Sequence, residues 1–248
     1  MVPARGHPRA TYDGDVDDGT PVIRTLGILG AGRLSTVIAR LAASAGYRVL
    51  VARSADAAPI ARAMAAVGAT AATTDEVIAE ADAVVLALPL GKFGMLPADL
   101  LRGKLVIDAM NYWWGADGIR ADLTDPRTST SELVQRHLAG ARVVKALSHM
   151  GYRDLEDETR PRGDAARKAL AMAGDDPVDL VVVGRLVDDL GFDPVVAGPL
   201  EAGIMLEPGG EAFGADVGAA ELRDMLDRFW TSQRGIVVAR ARATTAAG

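Results

Sequence analysis

Residues 22–35 read VIRTLGILGAGRLS. An apolar run ends in glycine, and Leu34, Val37, Ile38 and Leu41 then fall at helical spacing as far as Gly46. The pattern predicts a short buried strand, a tight turn, and a helix with Gly46 just past its end. Gly30-Ala31-Gly32 fills the turn. In that context the first glycine makes the bend and the second lets backbone approach a diphosphate. The helix start adds unpaired N–H groups and the positive end of a dipole. Ser35 stands where a third Gly or Ala is usual, and it is small enough for close helix–strand contact. The plain alternative is a glycine turn without a ligand. A phosphate-loop NTPase is rejected, because Arg33 and Leu34 follow the last glycine where that motif needs Lys and then Ser or Thr.

Outward from this stretch the pattern repeats. Strands are predicted over 47–52, 81–89, 104–111, 141–149, 168–174 and 193–200. Helices are predicted over 56–67, over 74–81 with Thr74 as cap, over 129–138 capped by Ser129, and over 177–190 up to Gly191. One long helix is expected from 216 to 244, with Leu222, Met225, Leu226, Phe229 and Trp230 as its apolar stripe, facing the core or a second copy. Near-continuous apolar strands alternating with helices imply an α/β fold, a doubly wound parallel sheet covered on both faces. With the glycine turn, this is a Rossmann NAD(P)-binding fold with a small C-terminal helical extension. The organisation read from the sequence is a disordered tail over 1–20, a dinucleotide-binding domain over 21–215 and the C-terminal helix over 216–248.

Composition narrows the function. The 248 residues are 49% hydrophobic and 24% charged, a globular profile. Net charge is −6, from 27 Lys+Arg against 33 Asp+Glu, which disfavours an electrostatic nucleic-acid binder. The absence of Cys excludes disulfides, thiolate metal sites and Cys nucleophiles. The three His (7, 137 and 149) are too scattered for a local metal motif. No apolar run reaches 18 residues, and the first 20 carry charges rather than a signal-peptide core, so no membrane segment and a cytoplasmic location are expected.

The second strand exits into Arg53-Ser54, where an NAD-selective site would place a carboxylate. A guanidinium and a hydroxyl suit a 2′-phosphate, so NADP(H) is expected over NAD(H). Ligands of open α/β sheets lie beyond the carboxyl ends of the strands. That rule selects Leu88, Pro89 and Leu90, then Ala109 to Trp113, and then Leu147, Ser148, His149 and Met150. Hydride transfer between two heterocycles needs mainly proximity and dryness. A carbonyl or imine acceptor would need a proton donor, for which His149 is the first candidate and Tyr112 the second. The polar stretch 153–167 reads as a mobile loop over the site or as a solvated connector.

The segments GILGAGRLS (27–35), VVLALP (84–89), LVIDAMN (105–111), VVKALSHMGYRDLED (143–157), AGDDP (173–177) and LGFDPVVAGPLEAG (190–203) occur in this order. Together, from about 23 to 215, they resemble the NADPH-dependent coenzyme F420 reductases, or F420H2:NADP oxidoreductases. The resemblance implies a homodimer and hydride exchange between the nicotinamide C4 and the deazaflavin C5. It places Gly30, Ala31, Gly32, Arg33 and Leu34 at the pyrophosphate, and Arg53 and Ser54 at the 2′-phosphate. Leu88, Pro89 and Ala146 would flank ribose and nicotinamide, while Ser148, His149 and Met150 border the second ligand. The chain departs from the family at Ser35, in the order Arg53-Ser54, and at Leu147-Ser148 where Phe-Asn is frequent. Two other readings stay open: an NADPH-dependent reductase of a small C=N, C=C or C=O substrate, and a non-catalytic NADP(H) sensor.

Overall fold

The structure is a computed structural model, and it describes residues 20–53 and 56–245. The expected tail therefore lies almost wholly outside the described residues.

The chain opens with β1 (Thr25–Leu29), α1 (Arg33–Ser44) and β2 (Arg48–Ala52). Then come α2 (Ala61–Ala65), β3 (Thr70–Ala71), α3 (Thr74–Glu80), β4 (Ala83–Leu86), β5 (Leu105–Asp108) and a short α4 (Trp114–Asp117). Next are α5 (Thr130–His137), β6 (Arg142–Lys145), α6 (Tyr152–Asp157), β7 (Ala169–Gly174), α7 (Pro177–Asp189) and β8 (Asp193–Gly198). The chain ends in α8 (Ala219–Arg228) and α9 (Gln233–Thr245). The strands form one sheet in the order β3-β2-β1-β4-β5-β6-β7-β8.

Period-two alternation splits each strand between two cores. Ile28, Val51, Val85 and Ile107 face α1 and α7, packing with Ile38 and Leu186. Leu29, Leu50, Leu86 and Val106 face α3 and α5, packing with Val77 and Val134. Helices on both faces and a strand order that reverses beside β1 make the fold doubly wound, as the sequence implies.

Four expectations need correction. The sheet is parallel only through β6; β7 runs antiparallel to it, with Val144 opposite Gly174 and Lys145 opposite Ala173, and β8 follows β7. The C-terminal helix is two helices. A 3-10 turn (Phe229–Thr231) separates α8 from α9, and the Ser232 hydroxyl accepts from Gly235 N at 3.1 Å, restarting the coil. The cap of α3 is Thr73, which forms a reciprocal capping box with Glu76. The 153–167 stretch is not a loose lid: it begins inside α6, and Arg167 ties it to Asp188 at 2.7 Å and to Asp193 at 3.0 Å. Leu222, Leu226 and Phe229 pack α8 and the following turn onto β7 and β8, while Trp230 is left exposed.

Candidate functional site

The β1–α1 turn is laced to both neighbouring strands. Gly30 N donates to Ala52 O at 2.7 Å. Gly30 has φ +129, and a Cβ there would run into the carbonyl oxygen of Ala87 at the β4 exit, so only glycine fits. The Ser35 side chain is fully buried and donates to that same Ala87 oxygen at 3.3 Å. Thus the departure at the third position keeps the close packing and adds a tether.

Gly32 is the N-cap of α1 and supplies no capping side chain, and the first turn holds no acid. A Cβ at Gly32 would meet nothing within 4 Å. The starts of α5 and α7 are sealed by side chains. In α5, Ser129 pairs with Glu132, and the Glu207 carboxylate accepts from Thr130 N at 2.7 Å. In α7, Asp176 caps, whereas α8 starts at Gly218 without a capping side chain and differs from α1 in carrying Glu221 in its first turn. The α1 start therefore keeps free N–H groups above open space, which suits a diphosphate. Arg33 is exposed and donates to the Tyr152 hydroxyl at 2.8 Å, which holds that phenol below its ordinary pKa. Ala31 and Leu34 are half-buried beside it.

Arg53 stands exposed one residue past β2. Asp56, the nearest acid, accepts from Ala58 N at 2.9 Å within its own turn. Ser54 lies outside the described residues.

The carboxyl ends of β4, β5 and β6 bring Leu88, Pro89, Ala109, Ala146 and Ser148 to one edge. Ala109 N donates to Leu86 O at 3.1 Å and Ala146 N to Asp108 O at 3.2 Å, so the exits are stepped together. Asp108 and Lys145 are fully buried beneath this edge, 3.5 Å apart. Asp108 accepts from Met110 N at 3.0 Å and from the Ser131 hydroxyl at 2.6 Å, and Lys145 donates to Met110 O. The pair thus grips both sides of the Met110 peptide. Asn111 follows, and its Nδ2 donates to Ser148 O at 2.6 Å. Leu147, just before Ser148, has φ +58, a left-handed conformation that costs a branched side chain about 1–2 kcal/mol.

Backbone engages both of the expected proton donors. His149 is 1% exposed; its Nε2 accepts from Ala171 N at 2.9 Å and its Nδ1 faces Ala212 O at 3.1 Å. Both ring nitrogens are spent on backbone, and burial pushes its pKa down to about 4. Its job is to tie β6 to β7 and to 212. The Tyr112 hydroxyl donates to Gly118 O at 2.8 Å and accepts from Arg120 N at 3.2 Å, so its proton is committed too.

Sequence reasoning missed two features. Phe213 meets Trp113 edge to face, with ring centroids 5.7 Å apart, beside the β6 exit. A cleft of about 530 Å³ opens beyond Tyr112, where Thr130, Glu207, Arg234 and Val237 face one another. Both join residues some 100 positions apart, which no local pattern announces. Among the described residues no helix is long and apolar enough to cross a membrane.

The turn, the open helix start and the strand order define a Rossmann fold, the architecture of dinucleotide-binding proteins. Residues 25–112 match the family model of NADP oxidoreductases, coenzyme F420-dependent, in agreement with the resemblance read from the sequence. No curated protein matches the chain. Among solved structures, it is similar to a hypothetical protein of Sinorhizobium meliloti, with TM-score 0.66 and 25% identity, over 78% of this chain and 94% of that one. It is similar to a candidate F420-dependent NADP-reductase of an Arthrobacter species, with TM-score 0.61 and 22% identity, over 84% and 94%. It also shares its fold with a reductive aminase of Aspergillus terreus in complex with NADPH, with TM-score 0.52 and 19% identity, over 73% of this chain and 56% of that longer one.

Proposed function

We propose that the protein is an NADP(H)-dependent oxidoreductase that exchanges a hydride with the deazaflavin coenzyme F420. The observation that carries the dinucleotide reading is the start of α1, open and uncapped, with Gly32 leaving space where a side chain would stand. The residues present fit the cofactor. The N–H groups at Gly32 to Leu34 would hold the diphosphate, Arg53 would meet the 2′-phosphate, and Leu88, Pro89, Ala109 and Ala146 would flank ribose and ring. When bound, NADPH supplies the hydride from its nicotinamide C4, and the deazaflavin C5 receives it.

The protein's contribution is position and exclusion of water. Buried Ala109, Ala146 and Leu147 give the ring an apolar floor. Backbone engages both His149 and Tyr112, the two proton donors that the sequence offered for reduction of a carbonyl or imine, which supports ring-to-ring hydride transfer. A homodimer belongs to the same proposal, with Trp230 in the turn after α8 and Ile236 and Val237 on α9 exposed as its candidate seam.

The test is to mix protein, NADPH and oxidised deazaflavin and follow the deazaflavin's visible absorbance. Bleaching that depends on both supports the reading. NADPH consumed only with a small imine or carbonyl, or bound and never oxidised, overturns it in favour of the reductase or the sensor.

A further inference from the structure

Two polar atoms at the carboxyl edge are buried without a hydrogen-bond partner: Asn111 Oδ1 and Ser148 Oγ. Their residues are neighbours, because Asn111 Nδ2 donates to Ser148 O at 2.6 Å. That bond also fixes the amide's orientation. The NH2 group must face a carbonyl, so the unpartnered atom is the acceptor oxygen. Ser148 is 4% exposed, and its hydroxyl is a donor with nothing to donate to. Buried polar groups normally find partners, and an exception calls for a ligand or another cause.

Two costly devices converge on this pair. The buried Asp108–Lys145 ion pair grips the Met110 peptide from its N–H and its C=O, and so sets where Asn111 begins. Leu147 holds a left-handed backbone that sets where Ser148 begins. Buried charge and backbone strain are tolerated where the surroundings must hold a precise arrangement.

We infer that Asn111 Oδ1 and Ser148 Oγ together read an amide edge, an N–H donor beside a C=O acceptor, on a ring bound over the β5 and β6 exits. Asn111 accepts from the ligand's N–H, and Ser148 donates to its C=O. The inference rests on the function proposed above and names how that site recognises its ring. The same chemistry has two sources there, the nicotinamide carboxamide and the pyrimidine edge of the deazaflavin.

Ser148→Ala is the clean variant, since the lost hydroxyl supports nothing in the free protein. Asn111→Ala is its partner. Three probes are measured on each: adenosine 2′,5′-bisphosphate, NADP+, and the KM for deazaflavin. The bisphosphate carries no amide edge and should bind unchanged. If the edge is the carboxamide, NADP+ weakens roughly three- to tenfold in each variant, and discrimination against the 3-acetylpyridine analogue, which keeps the C=O and lacks the N–H, falls in Asn111→Ala. If the edge is the deazaflavin's, NADP+ binding holds and the deazaflavin KM rises by a similar factor. The inference is overturned if Ser148→Ala changes neither, or if all three probes weaken together. Failure of the bisphosphate and NADP+ to bind the unaltered protein would instead strike the dinucleotide reading itself.

Discussion

Arg53 and His149 show how differently two residues can be read from a sequence. Arg53 is exposed at the end of β2 with no carboxylate in place of the usual ribose-binding acid. Replacing it with Ala should weaken NADPH binding by about 1–3 kcal/mol and leave NADH nearly unchanged, measured by titration of both. Equal losses for the two would remove the 2′-phosphate role. The placement of Arg53 at a strand exit was legible, because a strand end is a local property. For His149 it misled. Its partners, Ala171 N and Ala212 O, lie 22 and 63 residues away, so only the folded chain shows that the ring is spent. Because burial lowers its pKa from 6.5 to about 4, the unfolded chain takes up the proton first. Stability is full above pH 6.5 and falls by about 3 kcal/mol as pH drops through 4. Denaturant melts at stepped pH should show that loss, and His149→Gln should show less of it. An identical pH dependence in the variant would refute the assignment.

At the level of elements, β1, α1, β2 and the central strands are legible because their apolar periodicity and their glycines coincide. The direction of β7 is not, since an apolar run of alanines packs equally well either way up. The long helix expected from 216 to 244 fails at a break of ordinary helix-compatible residues, where Ser232 recaps the chain. The turn at Gly30 is the most constrained element. Gly30→Ala meets both a positive φ and the Ala87 carbonyl, so it should cost about 3 kcal/mol and abolish dinucleotide binding. Thermal denaturation and a binding titration check the two halves separately. A stable variant that still binds would mean that the turn relaxes and that close approach to β4 is dispensable.

Across the whole molecule, the sheet brings the exits of its parallel strands to one edge, and the candidate site is the sum of what those exits leave unfinished: an uncapped helix start, an unpaired amide oxygen and an unpaired hydroxyl. The first was legible as a glycine pattern. The others were not, because a missing partner is visible only when every neighbour is placed. The central claim is that the α1 start is kept open for a dinucleotide diphosphate, and Gly32→Asp tests it most directly. The position has extended backbone and free space, so the carboxylate can cap the helix and raise stability by about 0.5–1 kcal/mol while occupying the anion site. Calorimetric titration with NADPH should show saturable heat for the unaltered protein and none for this more stable variant. No saturable heat for the unaltered protein, or equal binding by both, would contradict the account.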